Sequence, residues 1–200
     1  MEAKAFWTTL ATPVGIKDSP YVAGFRQVHT LNEDRRQDVI TGTIYRHSDG
    51  RERRDFDGRE TVLLHPDSAS MITLDPSTKK GDRLVLNVPG KPGMMAISWS
   101  LKGLGPNILD LRGESYGDAF FHEETIHGLR CSRYLKEAKP SNVRTTLWIA
   151  TDLQILVKLH SVNPAESYDW FLTGVELREP DPELWIVPQD YEMSDYLEAD

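Results

Sequence analysis

Short runs in which apolar and polar positions alternate dominate the chain, each ended by Gly, Pro, Asn or Asp at intervals of roughly ten residues. In Val39-Ile40-Thr41-Gly42-Thr43-Ile44-Tyr45, alternate positions differ in polarity, and Ser48-Asp49-Gly50 supplies turn chemistry before the charged run Arg51 to Arg59. The two runs are predicted to pair as a hairpin. Three short strands follow. Thr61 to His65 stops at Pro66-Asp67-Ser68, Ser70 to Leu74 stops at Asp75-Pro76-Ser77, and Leu84 to Val88 comes after Lys79-Lys80-Gly81. Strand texture returns at Thr125 to Tyr134, Arg144 to Ala150, Ile155 to Val162 and Tyr168 to Leu177. Helix-period segments are few: Ala3 to Leu10, and a short helix plus loop within Pro89 to Gly117, where Gly90, Gly93, Gly103, Gly105 and Gly113 sit among apolar residues. The pattern predicts a mainly β (α+β) fold built on an antiparallel meander.

Composition narrows what this meander does. Two hundred residues fit one domain. The expected extent is 1–200, with 1–19 as an N-terminal helix or extended segment and 194–200 as a flexible tail. The chain carries 31 acidic against 23 basic residues, a net charge of -8, so its field repels phosphate backbones and nucleic acid is excluded as a partner. No apolar run is long enough for a transmembrane segment, and Met1 to Trp7 lacks the apolar core of a leader. The single cysteine, Cys131, makes no intrachain disulfide and leaves cytosol and periplasm equally open.

Chemistry-bearing motifs are weak. His122-Glu123-Glu124-Thr125-Ile126-His127 is close to a zinc-binding His-Glu-x-x-His helix, but its second histidine comes five residues on, about 140° around a helix from the first. A metal-dependent enzyme around His122, Glu123 and His127 is therefore the lesser reading, and a loop running into a strand the main one. The six histidines are far apart in sequence, and Cys131 in an alternating strand reads as a small buried hydrophobe. No Gly-x-Ser-x-Gly elbow, dinucleotide fingerprint or phosphate loop occurs, so neither an enzyme nor a cofactor is expected. The sign-alternating run Arg51 to Asp57 reads as a solvated face or guarded edge, with docking of an acidic partner as the alternative. Trp99, Trp148, Trp170 and Trp185 read as core, or as the lining of a cavity on a curved sheet.

The last quarter of the chain carries the most information. Leu147-Trp148-Ile149-Ala150 leads to the turn Thr151-Asp152-Leu153 and then to Ile155 to Val157. The strand Tyr168 to Leu177 follows, and the acidic segment Pro180-Asp181-Pro182-Glu183-Leu184-Trp185-Ile186-Val187-Pro188-Gln189-Asp190-Tyr191 closes the run. This ending resembles that of the LolA-like superfamily of periplasmic lipoprotein carriers and receptors, and Ile126-x-Gly128-x-x-Cys131-x-x-Tyr134 is similar to the hairpin before it. The likeness spans roughly residues 20–193 and is strongest over the last fifty.

The resemblance implies a strongly curved antiparallel sheet, a half-open barrel with short helices covering the concave face and the Trp185 segment sealing it near the end. It also implies a periplasmic, non-catalytic envelope protein binding an acyl chain, lipid or lipoprotein in that face. A burial of ~0.8 kcal/mol per methylene makes a dozen carbons worth roughly ten kcal/mol before ordering costs. The expected lining is Leu84, Leu86, Ile155, Val157, Phe171 and Val175 from the strands, with Met94, Met95 and Trp99 from the covering segment. A sensor or adaptor that binds an envelope protein partner through the same fold is the alternative.

Overall fold

The structure, a computed structural model, describes residues 19–65, 70–85, 120–138, 142–153 and 155–197. Among these, twelve strands form one sheet. The first six are β1 (Tyr21–Leu31), β2 (Gln37–Arg46), β3 (Glu52–Phe56), β4 (Thr61–His65), β5 (Ser70–Asp75) and β6 (Lys80–Val85). The others are β7 (Phe120–Ile126), β8 (Leu129–Ala138), β9 (Val143–Ala150), β10 (Ile155–Val162), β11 (Glu166–Glu176) and β12 (Glu192–Leu197).

Their spatial order is β12-β6-β5-β4-β3-β2-β1-β11-β10-β9-β8-β7, so the sheet is open, with β12 and β7 at its edges. Two meanders build it. The first runs from β1 outwards to β6, and the second runs from β7 inwards to β11, which pairs antiparallel with β1. The expected hairpin of β2 with β3 and the run β4, β5, β6 are all present, although β6 begins at Lys80 rather than Leu84. Residues 1–18 and 86–119 lie outside the described residues, and with them the helices expected there.

Local chemistry sets the turns. Ile126 and Leu129 face each other across His127 (φ 49°) and Gly128 (φ 80°), the mirror-image two-residue turn whose twist matches paired strands. The expected continuous run Thr125 to Tyr134 is therefore the end of β7 and the start of β8. On β10, Val157 is an extra residue between the pairs Leu156–Ile149 and Lys158–Trp148. This bulge interrupts the alternation, so Ile155, Leu156 and Val157 are all buried.

Register divides the sheet into two faces. Tyr21, Ala23, Phe25 and Gln27 of β1 are buried on one, here the core face, which carries the main apolar cluster. The opposite, back face holds Leu63, Ile72 and Leu74 of β4 and β5 as a separate cluster. The chain from β11 to β12 covers it. Asp181 accepts a 2.9 Å hydrogen bond from the Glu183 amide and caps a short 3-10 helix, Pro182–Trp185, whose proline is preset for the first turn. Arg53 Nη1 donates to the Leu184 carbonyl at 2.7 Å, and the Arg51 guanidinium lies 5.0 Å over the Trp185 ring. Val187, Tyr191 and Met193 then pack on Leu63, Ile72 and Leu74.

Two expectations change here. The proline-bracketed Trp185 segment packs on the back face rather than sealing a hollow, because the apolar residues of β4 and β5 face that way and need a cover. Residues 194–197, expected in a flexible tail, belong to β12, which pairs parallel with β6 from Glu192 opposite Lys80 to Leu197 opposite Val85.

Trp185 is 7% exposed. Its replacement by alanine is expected to cost about 3–5 kcal/mol of stability in urea unfolding, the usual penalty for emptying a large aromatic site. A loss below about 1 kcal/mol would show that the segment is not held by its tryptophan.

Candidate ligand-binding face

The core face is assembled outwards from β1. Phe25 lies between Gly42 of β2 and Leu172 of β11, and Gln27 between Ile40 and Trp170. Gly42 is required by space: a Cβ there would stand 2.6 Å from the Phe25 ring and press on the Asp55 carbonyl. The bare position lets Phe25 lie across β2 and meet Phe56 of β3 edge-on, with ring centroids 5.2 Å apart. Val62 and Leu64 of β4, then half-buried Met71 and Leu84 of β5 and β6, carry the face towards one edge. Leu159 and Leu147 of β10 and β9 carry it towards the other.

A charged ladder crosses this apolar face. Register puts Arg46 opposite Glu52 and Ile44 opposite Arg54, on the same side as Ile44 and Leu64. Glu52 is 5% exposed and accepts from Arg46 Nη1 at 2.9 Å and Arg54 Nε at 2.7 Å. Burial pushes its carboxyl up, but the adjacent guanidiniums of Arg54 and Arg46 outweigh it and hold the group below the usual glutamate range. The run Arg51 to Asp57 is thus not a solvated face or an edge. β3 is flanked by β2 and β4, and its alternate residues Glu52, Arg54 and Phe56 point into the core face because each charge there has a partner.

Tyr168 of β11 also belongs to this face, packed against the main cluster with its hydroxyl buried and without a hydrogen-bond partner. Burial pushes its pKa up, against a smaller pull from the Arg54 charge. A twisted open sheet of twelve strands coils, and the main cluster marks the core face as the inner, concave one.

The residues expected to line the face are divided by the structure. Leu84 and Val175 pack against the main cluster from opposite wings, and Val157 is fully buried. Ile155 pairs with Ala150, on the side of β9 that carries Trp148. There the cluster continues onto the back face, through Cys131, Trp148 and Ala150. Phe171, opposite Arg26 and Lys158, lies half-buried on the back face and is not brought to the others. Leu86, Met94, Met95 and Trp99 lie outside the described residues. Phe25, Gln27, Glu52, Arg54 and Tyr168 were not expected; the alternation of β1 and of β3 was the signal available for the first four.

Neither of the other marked clusters gathers a site. His122 and Glu123 are successive strand residues facing opposite sides, His127 is in the turn, and no group of three or more metal-capable side chains occurs among the described residues. Trp148 is enclosed by Lys158 Nζ at 4.5 Å and Arg133 Cζ at 5.4 Å over its ring, with Nε1 donating to Glu124. Cys131 is buried, which pushes its thiol pKa up.

The Glu52 ladder makes a pH prediction. A carboxyl whose folded-state pKa lies below its ordinary 4.5 adds stability above that value, and loses it as pH falls through the lower folded value. Glu52→Gln is expected to cost about 3–5 kcal/mol at pH 7, by leaving two guanidiniums short of their anion. It should also flatten the fall in urea midpoint between pH 5 and lower pH. An unchanged acid limb in the variant contradicts the assignment.

No family model matches the chain, and no curated protein matches it. Solved structures do. PNGF-II aligns at 8% identity with a TM-score of 0.52, over 90% of this chain and 32% of that one, so the chain spans about a third of its length. A LolA superfamily protein from Nitrosomonas europaea aligns at 9% identity and a TM-score of 0.43, over 93% of this chain and 98% of that one. LprF from Mycobacterium bovis aligns at 14% identity and a TM-score of 0.39, over 83% and 90%. At such identities the likeness concerns fold alone.

Proposed function

We propose that this chain is a non-catalytic carrier-type protein of the bacterial envelope that takes an apolar chain, the acyl part of a lipid or lipoprotein, on its concave face. Residues 1–200 act in this reading as one domain. The supporting observation is an open sheet on whose inner face one connected apolar cluster extends from Leu84 on β6 to Leu147 on β9. A closed eight-stranded barrel fills its interior with its own side chains, whereas an open curved sheet leaves its inner face unsealed at the edges. In this reading Leu84 and Val175, partly buried against the main cluster, line it above buried Val157, joined by Met71, whose flexible thioether suits variable chains. The resemblance of the C-terminal strands to LolA-like carriers supports the acyl chain as guest and the periplasm as its location.

Displacement of a fluorescent acyl probe by fatty acids of increasing length tests this. Saturable binding is expected, strengthening by up to roughly fourfold per methylene. Met71→Gln and Leu84→Gln should each weaken it severalfold at unchanged Tm, since both side chains are only half-buried. Absence of saturable binding, or affinity that ignores chain length, contradicts the reading.

A further inference from the structure

The back face of the second meander holds a row in which cations and aromatic rings alternate. Register sets Arg133 of β8 opposite Trp148 of β9, Trp148 opposite Lys158 of β10, Lys158 opposite Phe171 of β11, and Phe171 opposite Arg26 of β1. Arg26 and Arg133 are exposed, while Lys158 and Phe171 are half-buried. Trp148 lies beneath its two neighbours, with Arg133 Cζ at 5.4 Å and Lys158 Nζ at 4.5 Å over its ring. Among the described residues none of the three cations forms an ion pair. Acids beside the row bind other groups: Glu124 accepts from Trp148 Nε1, and Asp169 is held by His160 Nδ1 at 2.8 Å. Elsewhere in the sheet Arg46, Arg53 and Arg54 each meet a carboxylate, so in a chain of net charge -8 this row is the exception. A ring face attracts a cation without neutralising it and leaves its N–H donors available to an acceptor.

We propose that this row docks an acidic helix of a protein partner, laid across the strands from β8 to β1 with carboxylates seven residues apart. Neighbouring strands stand about 4.8 Å apart, so successive cations, two strands apart, repeat at about 10 Å. Seven residues of a helix rise about 10.5 Å, which brings one carboxylate to each cation. The helix turn between two carboxylates then rests apolar side chains on Trp148 and Phe171. An anionic bilayer fits less well. Trp148, 7% exposed, lies under the cations instead of projecting into lipid, and a broad anionic surface repels the rest of an acidic protein. A narrow acidic strip meets the row alone, because charges beyond a screening length of about 8 Å are largely silent at physiological salt. The docking surface is independent of whatever the concave face receives.

The test uses a dye-labelled, alanine-based helical peptide with Glu at every seventh position and Leu midway between, read by fluorescence anisotropy. Saturable binding is expected, falling at least tenfold when the glutamates become Gln or when the same residues are scrambled out of that repeat. Raising the salt should weaken it further. Arg26→Glu, a change at an exposed side chain that should leave Tm unaltered, is expected to weaken the Glu peptide about tenfold and to recover affinity when the terminal Glu of the peptide is changed to Lys. That exchange separates direct contact from a loss of folding. No binding at millimolar peptide, or equal binding of the Glu, Gln and scrambled peptides, overturns the proposal. Binding to phosphatidylglycerol vesicles that Arg26→Glu abolishes, without peptide binding, overturns it in favour of a lipid surface. Self-association in sedimentation that Arg26→Glu abolishes, again without peptide binding, overturns it in favour of a second copy of this chain.

Discussion

The pairing of β1 with β11 is the constraint on which the rest depends. It joins a meander that runs outwards from β1 to one that runs inwards to β11, and without it the chain would make two smaller sheets, each with an exposed edge at the break. The same register sets Phe25 beside Leu172 and Gln27 beside Trp170, so the apolar surfaces of the two meanders become one. It also carries Tyr168 onto the face of the main cluster. A slip of one residue would turn the inner set outwards.

The two faces answer different physical problems. On the back of β4 and β5, apolar residues meet a cover made by the chain itself, which ends by adding β12 to the edge at β6. Gly81 is bare there so that Met193 and Leu74 can close over it. On the inner face, among the described residues, no helix lies over the sheet; its apolar side chains pack against one another, with a paired glutamate and two arginines set among them. The first arrangement is one of stability, and the second keeps an apolar surface for the proposed guest.

How much of this was legible follows from what alternation reports. Strands β2, β4, β5, β9, β10 and β11 show it openly in β-branched and aromatic residues, and their existence was expected. β1 escaped because Gly24, Arg26 and His29 dilute a pattern that becomes plain only once Gln27 is known to be buried. β12 escaped because Glu192, Ser194 and Asp195 belong to an exposed edge, held by backbone pairing with β6 rather than by burial. β3 was misjudged for a related reason: a run of charges reads as solvated until its partners are known, and the partner of Glu52 on β2 is set by sheet register. Phe171 illustrates the converse, since the pleat at Trp170 and Leu172 sends the phenylalanine between them to the back. Topology was beyond local reading, because nothing near residue 190 announces a strand parallel to one more than a hundred residues earlier.

The claim that the concave face, and not the back, receives an apolar chain is tested most directly by adding a fatty acid with a nitroxide on its chain to protein with labelled methyl groups. The account predicts paramagnetic broadening of the Val62, Leu159 and Leu172 methyls, with Leu63, Ile72 and Leu74 unaffected beneath the closing segment. Broadening of the second set alone, of both sets equally, or of neither would contradict it.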